Sequence, residues 1–121
     1  HFCYCCCCPC CSFALGRRYS TVSGGTANIA SAENAVVAGG SGNRATSTNA
    51  AVCGGIDNEA LGDNSYIGGG DSNSIDSGAL HGAVGGGYSN FCILEGCAVA
   101  GGSENSAEGA LAWDQYQWCS A

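Results

Sequence analysis

The chain has 121 residues, of which 21 are Gly, and its net charge is −7 with only three basic side chains. This length predicts a single domain, and the scarcity of Lys and Arg excludes the basic footprint that nucleic-acid binding requires. Charged residues make up only 11% of the sequence, whereas soluble globular proteins usually carry about a quarter. An ordinary, strongly charged disordered tail is therefore excluded as well.

The first predicted element is a cysteine-rich connector over residues 1–18. The chain contains 11 cysteines, and an odd number cannot pair completely within one chain. Seven of them lie near the start, namely Cys3, Cys5, Cys6, Cys7, Cys8, Cys10 and Cys11. Adjacent cysteines rarely meet disulfide geometry with each other, so these seven and Cys119 are candidates for disulfides between chains. A soft-metal cluster that includes His1 is the alternative, and an extracellular context favours disulfides over it.

The same segment carries an apolar stretch, residues 2–15, that is too short to span a bilayer. The chain begins with His1 rather than Met, and we interpret any export signal as already removed. The expectation is an extracellular protein, or one on the surface of a cell or virion, without a membrane span.

Residues 19–112 are predicted to form a β-solenoid. The motif Gly-Gly-x-x-Asn occurs six times, and its first Gly advances by 15, 15, 15, 17 and 15 residues. A short fixed period indicates that each copy is one coil stacked on the next. Position 1 of the six coils is Tyr19, Asn34, Asn49, Asn64, His81 and Gly96. The sequence therefore predicts an all-β fold, a parallel β-roll of six coils of about 15 residues.

Positions 2, 4 and 12 of each coil are predicted to face a narrow interior. Position 4 is β-branched in every coil and holds Val22, Val37, Val52, Ile67, Val84 and Val99. Alternation along a strand places positions 2 and 4 on one face, and the small residues at positions 2 and 12 let opposite walls approach. Cys92 and Cys97 fall in these two columns. They are either small core residues or an internal disulfide.

The Gly-Gly pair and the following Asn are predicted to turn a corner, because Gly permits positive φ. The Asn recurs as Asn28, Asn43, Asn58, Asn73, Asn90 and Asn105. These residues either serve as turn residues that tolerate the left-handed region or form a hydrogen-bonded amide ladder through the stack. Two extra residues in coil 4, placed near Ala79 and Leu80, are predicted to bulge at a corner and bring His81 to the surface.

Positions 3 and 5 are predicted to face outward although they are small and largely uncharged. They hold Thr21, Val36, Ala51, Tyr66, Ala83, Ala98, Ser23, Ala38, Cys53, Gly68, Gly85 and Ala100. A water-facing strand surface normally alternates with polar residues, so this face is expected to be covered by another copy of the chain, with Cys53 at the contact. Acidic residues such as Glu33, Asp63 and Glu95 lie on the far arc, which is expected to face solvent.

The stretches Tyr19-Ser-Thr-Val-Ser-Gly-Gly, Asn34-Ala-Val-Val-Ala-Gly-Gly, Asn64-Ser-Tyr-Ile-Gly-Gly-Gly and Gly96-Cys-Ala-Val-Ala-Gly-Gly resemble the coils of YadA-type trimeric autotransporter heads. Similar coils occur in tail-fibre-like proteins of phages and viruses. The resemblance, over about residues 19 to 112, implies a left-handed β-roll, a homotrimer and most often adhesion. The chain departs from that family in its longer period, and no heptads or membrane strands follow Ala110.

Residues 113–121 form a second predicted connector with Trp113, Tyr116, Trp118 and Cys119. We expect a structural subunit of an extracellular fibre, in which trimeric β-roll units join head to tail and are cross-linked by disulfides. The alternative is an adhesin or tail-fibre head that binds a host receptor or glycan. Its candidate contact residues are Tyr19, Tyr66, Tyr88 and Phe91.

No enzymatic activity, metal site or cofactor is predicted. Only His1 and His81 offer imidazole bases, and Gly68-Gly69-Gly70 lacks the Lys-Ser/Thr of a phosphate-binding loop. The expected partner is the chain itself, and neither nucleic acid nor a membrane is expected.

Overall fold

The computed structural model describes residues 19–108 and the backbone of residues 2–3 and 13–14. Across these residues the protein is all-β, without a helix, and its parallel strands stack as a β-solenoid of about six turns, which confirms the predicted fold class at this level. The strands are β1 (Phe2–Cys3), β2 (Phe13–Ala14), β3 (Thr21–Val22), β4 (Ile29–Ala30), β5 (Val36–Val37), β6 (Arg44–Ala45), β7 (Ala51–Val52), β8 (Glu59–Ala60), β9 (Tyr66–Ile67), β10 (Ser74–Ile75), β11 (Ala83–Val84), β12 (Phe91–Cys92), β13 (Ala98–Val99) and β14 (Ser106–Ala107).

The strands form two sheets that run along the stack. The long sheet has eight strands in the order β1-β2-β4-β6-β8-β10-β12-β14, and the short sheet has six in the order β3-β5-β7-β9-β11-β13. Neighbours in both sheets run parallel except β1 and β2, which are antiparallel. Isolated parallel bridges through position 8, such as Ser41 to Ile56, form a third wall.

Each step between neighbouring strands advances the chain by one coil, so equal positions stack in columns. Val37 of β5 pairs with Val22 of β3 and with Val52 of β7. The long sheet also extends towards the amino terminus, because Phe13 in β2 pairs with Ile29 in β4. The stacking therefore reaches into residues 1–18, the segment that the sequence analysis treated as a connector.

The core is a thin column made from positions 2, 4 and 12. Position 4 is fully buried at Val37, Val52, Ile67 and Val84, while Val22 is partly buried against the core. Positions 12 and 2 close the interior from opposite walls, as in the pairs Ala30 and Ala35, Ala45 and Ala50, and Ile75 and Gly82.

The pair Ile75 and Gly82 shows how the side-chain sizes at positions 12 and 2 compensate each other. A Cβ on Gly82 would lie 2.7 Å from Cγ2 of Ile75, so the larger residue on one wall requires the smallest on the other. Where other coils have two small residues, Cys92 and Cys97 are joined by a disulfide with a Cα–Cα distance of 5.6 Å. Of the two interpretations left open for these cysteines, the internal bridge is the one observed.

The two extra residues of coil 4 lie earlier than predicted. In the regular coils the backbone N–H at position 2 donates to the carbonyl at position 14 of the preceding coil. Ala35 donates to Ala32 in this way, and Gly82 donates to Ala79. Ala79 therefore keeps the regular position 14, and it is fully buried. The insertion is Ser77–Gly78, directly before Ala79 and two residues earlier than predicted. His81 is exposed.

Besides the second Gly of each pair, two further positions of every coil lie in the left-handed region. One is position 1, where φ is 55° at Asn34 and 59° at His81. The other is position 9, where φ is 54° at Ala27 and 57° at Glu104. The Asn at position 10, which the sequence analysis noted as tolerant of this conformation, does not adopt it, and the residue before it does.

Candidate functional site

The Asn of position 10 forms an interior amide ladder. Asn28, Asn43, Asn58, Asn73 and Asn90 are fully buried. In coil 3 the Asn58 Nδ2 donates to the carbonyl of Gly54 in its own coil, at 3.0 Å, and to that of Gly70 in the next coil, at 2.9 Å. Oδ1 of Asn43, at 3.1 Å from the same nitrogen, shares one of its two hydrogens. The amide thus ties three consecutive coils together.

The oxygen of each ladder amide serves the next rung. Oδ1 of Asn58 accepts from both the backbone N–H and Nδ2 of Asn73, each at 3.0 Å. The same pattern joins Asn73 to Asn90 across the insertion and Asn90 to Asn105. Since buried polar groups are costly unless paired, this continuous pairing explains why no other residue replaces Asn here.

The two glycines of each pair have different roles. A Cβ on the second one, Gly40, would collide with the carbonyl oxygen of Gly55 and lie 2.6 Å from Nδ2 of Asn43, and its φ is 88°. A Cβ on the first one, Gly39, would have no neighbour within 4 Å. Contacts within the chain therefore require the second Gly and leave room for a side chain at Gly39.

The outward face of the short sheet, positions 3 and 5 of all six coils, carries no charged residue. Its largest side chains are Val36, which is 37% exposed, and Tyr66, which is 45% exposed. The outward face of the long sheet is different, because Arg44 and Glu59 form an ion pair there with an N–O distance of 3.0 Å. The uncharged face is the candidate interaction surface, and we call it the short-sheet face.

Cys53 and Tyr66 lie together on the short-sheet face. The Cys53 thiol, an exposed free cysteine, donates to Oη of Tyr66 at 3.6 Å. The hydrogen bond and the charge of Cys53 raise the pKa of the exposed Tyr66 phenol above its ordinary value. The ring also reaches over the sheet, since a Cβ on Gly68 would lie 3.3 Å from the phenol oxygen.

The other aromatic candidates for binding are exposed but do not share one face. Tyr19 is 78% exposed at position 1, Tyr88 is 50% exposed at position 8, and Phe91 is 46% exposed at position 11. These positions belong to a corner, the third wall and the long sheet, whereas Tyr66 lies on the short sheet. The structure therefore does not bring the four residues into one aromatic site.

The acidic residues lie around the far arc. Glu33, Asp63 and Glu95 at position 15 are exposed, and Glu59 and Asp71 are partly buried. Among residues 19–108, no cluster of three or more His, Cys, Asp or Glu side chains is arranged to hold a metal ion. In the same range no helix is long and apolar enough to cross a membrane.

Most of the predicted disulfide residues cannot be placed. Cys5, Cys6, Cys7, Cys8, Cys10, Cys11 and Cys119 lie outside the described residues. Cys3 is in β1, where its backbone pairs with Phe13. The candidates for links between chains therefore remain predictions from the sequence.

A second, exposed Asn ladder was missed in the sequence. Nδ2 of Asn34 donates to Oδ1 of Asn49 at 3.0 Å, and Nδ2 of Asn49 donates to Oδ1 of Asn64 at 2.9 Å. All three residues occupy position 1, and their φ values are 55°, 58° and 57°. The recurrence of Asn at position 1 in three consecutive coils was the signal that could have revealed it.

Comparison of the chain with protein-family models, with curated proteins and with solved structures finds no match.

Proposed function

We propose that this protein is a structural subunit of an extracellular surface fibre. In this proposal the short-sheet faces of three copies pack against one another, and the resulting units join end to end through disulfides between the cysteine-rich segment and the carboxyl-terminal segment. The proposal has no catalytic component.

The observation that carries the proposal is the composition of the short-sheet face. Its 12 outward positions carry no charge. Beside them the first four coils each have a Gly, such as Gly39, whose missing Cβ would have no neighbour within 4 Å, and the equivalent Gly86 and Gly101 would meet only one atom each, at 3.9 and 4.0 Å. Small residues allow backbones to approach closely, and an uncharged sheet face is unusual next to water. A neighbouring copy would account for both features.

The disulfide chemistry supports the extracellular part of the proposal. Cys92 and Cys97 are bonded and buried within the core, and stable disulfides are typical of oxidising compartments. A thin solenoid also has little core for its length, and lateral association would add to its buried area.

The mass of the particle in solution tests the lateral contact. Light scattering on the full chain, with thiol reductant present, is expected to give the mass of a homotrimer. A monomer under these conditions would contradict the lateral part of the proposal.

Electron microscopy tests the end-to-end part. The full chain without reductant is expected to form filaments that shorten when reductant is added. Replacement of the seven cysteines of residues 1–11 by Ser is expected to leave trimers that no longer form filaments, and Cys53→Ser is the matched control that keeps them. Filaments that persist in the seven-site variant would contradict the disulfide joint.

A binding head for a host receptor or glycan is the second candidate. The exposure of Tyr19, Tyr88 and Phe91 outside the short-sheet face favours it, because these rings stay accessible in a trimer built on that face. Discrete particles that bind a cell surface, and lose binding with Tyr88→Ser, would support this candidate over the fibre.

A further inference from the structure

The corner formed by positions 13 to 15 of coils 4 and 5 carries three exposed large apolar residues. Leu80 is 37% exposed, Ile93 is 39% exposed and Leu94 is 48% exposed. We call these three residues the apolar corner. The residues that precede Leu94 in its column are Ala32, Ser47, Gly62 and Ala79, and those that precede Leu80 are Glu33, Thr48 and Asp63. The residues that precede Ile93 are Ser31, Thr46, Leu61 and Asp76. The partly buried Leu61 is the one other large apolar residue in these three columns of residues 19–108, so exposed large apolar residues of these columns occur together only at this corner.

The apolar corner lies directly beneath the last described residues. The backbone N–H of Ile93 donates to the carbonyl of Ala107 at 3.0 Å, and that of Gly96 donates to the carbonyl of Leu80 at 2.8 Å. Glu108, which follows Ala107, occupies the same column as Ile93, one coil further along. The chain thus continues from a point one coil beyond the coil of Leu94 and two beyond the coil of Leu80.

In the earlier coils, backbone N–H groups at positions 8 and 11 donate to carbonyls of the coil that follows. Tyr88 donates its backbone N–H to the carbonyl of Gly102 at 2.9 Å, and Phe91 donates to that of Asn105 at 2.8 Å. The equivalent donors of coil 6 are the N–H groups of Ser103 and Ser106, and no described coil follows them. Backbone groups at the end of a solenoid need a partner, and terminal caps commonly provide it.

We propose that residues 109–121 cap the carboxyl-terminal end of their own solenoid, with their aromatic side chains against the apolar corner. This segment contains Leu111, Trp113, Tyr116 and Trp118, and Asp114 is its only charged residue. It follows directly on Glu108, and 13 residues reach about 40 Å when extended, far more than one coil spacing of about 5 Å. Attachment to the same chain gives the segment a high effective concentration at the corner.

The cap is independent of the proposed fibre, because it concerns contacts within one copy. It leaves Cys119 at the carboxyl-terminal end of the stack, where a disulfide to another copy can still form. Loss of the cap and loss of the fibre are therefore separable by experiment.

Tryptophan fluorescence of the full chain tests the cap, because both tryptophans of the protein lie in this segment. The unaltered protein is expected to show the blue-shifted emission of a shielded indole. The double variant Ile93→Ser/Leu94→Ser is expected to shift the emission to the red and to increase quenching by iodide. Ile56→Ser is the matched control, since Ile56 is 50% exposed in coil 3 and its replacement is expected to change neither property.

Three outcomes would overturn the cap. The first is emission of a water-exposed indole in the unaltered protein, and the second is emission that the double variant does not change. The third is a red shift on dilution of the unaltered protein, which would assign the corner to a second copy.

Hydrogen exchange on the unaltered protein gives a measurement that does not depend on a variant. The amides of Ser103 and Ser106 are expected to be protected like those of Tyr88 and Phe91. Rapid exchange at Ser103 and Ser106 beside protected Tyr88 and Phe91 would contradict a cap on coil 6.

Discussion

The inward and outward sides of the short sheet are both restricted in residue type, but contacts within the chain explain only the inward side. Inward, Val37 is fully buried, and Gly40 cannot carry a side chain without a collision with Gly55. Outward, Val36 is 37% exposed, and a Cβ on Gly39 would meet no atom within 4 Å. The fold therefore accounts for one side, and the proposed lateral packing of copies would account for the other.

The largest effect is expected from a charge at position 4. Val37→Asp places a carboxylate in the thin core without a partner and is expected to lower the free energy of unfolding by more than about 4 kcal/mol. Val36→Asp, on the outward side of the same strand, is the matched control. It is expected to keep the circular dichroism spectrum of the fold while lowering the mass measured by light scattering. Equal unfolding by both variants would contradict the assignment of the two sides.

The second largest effect is expected from a methyl group on one glycine of a pair, and it is expected to differ between the two glycines. Gly40→Ala is expected to cost about 3 kcal/mol or more, because the left-handed conformation disfavours a side chain and the Cβ collides with the next coil. Gly39→Ala is expected to leave urea unfolding of the monomer unchanged and to weaken self-association. If Gly39→Ala left the trimer mass intact, close packing of copies at this Gly would be excluded.

The two Asn ladders give a third comparison. Asn58→Ala removes a buried amide and leaves the carbonyl of Gly54 and the backbone N–H of Asn73 without the bonds that they make to it, so a loss of about 3 kcal/mol is expected. Asn49→Gly removes the middle of the exposed ladder while keeping a residue suited to the left-handed region, as Gly96 does in coil 6. A change within about 0.5 kcal/mol is expected there. Similar losses in urea unfolding for both variants would show that burial does not set the strength of a ladder.

The buried and the exposed cysteines are expected to differ in their contribution to the free energy of unfolding. Cys92→Ala/Cys97→Ala restores the pair of alanines found at Ala30 and Ala35, so packing is kept and only the cross-link is lost. For so short a loop the expected loss is about 2 kcal/mol. Cys53→Ser, on the short-sheet face, is expected to leave the free energy of unfolding unchanged. A double variant as stable as the unaltered protein would show that the internal bridge contributes nothing to folding.

The period, the strands and the inward columns could be predicted from the sequence because side-chain size recurs at fixed positions. Val37 and Val52 are assigned inward by alternation alone, and both are buried. The left-handed corner at position 9 could not be predicted, because chain closure imposes it on residues as different as Ala27 and Glu104.

The insertion and the cysteines were ambiguous for related reasons. Alignment on the Gly-Gly pairs leaves every placement between Asp76 and His81 equally consistent, and only the hydrogen bond from Gly82 to Ala79 selects Ser77–Gly78. A cysteine side chain fits a column of small core residues whether it is bonded in a disulfide or is a free thiol. The distance between Cys92 and Cys97 was needed to distinguish a bridge from two packed thiols.

The smallest expected effect has the opposite sign. The hydroxyl oxygen of Ser65 is buried without a hydrogen-bond partner, whereas Ala35 and Ala50 fill the same position in earlier coils. Ser65→Ala is therefore expected to raise the free energy of unfolding by about 1 kcal/mol, because it removes an unsatisfied polar group from the core. Ser23→Ala, at an exposed outward position, is the control and is expected to change nothing measurable by urea unfolding. A destabilised Ser65→Ala variant would mean that this hydroxyl contributes to the fold, and position 2 would then not be a purely steric column.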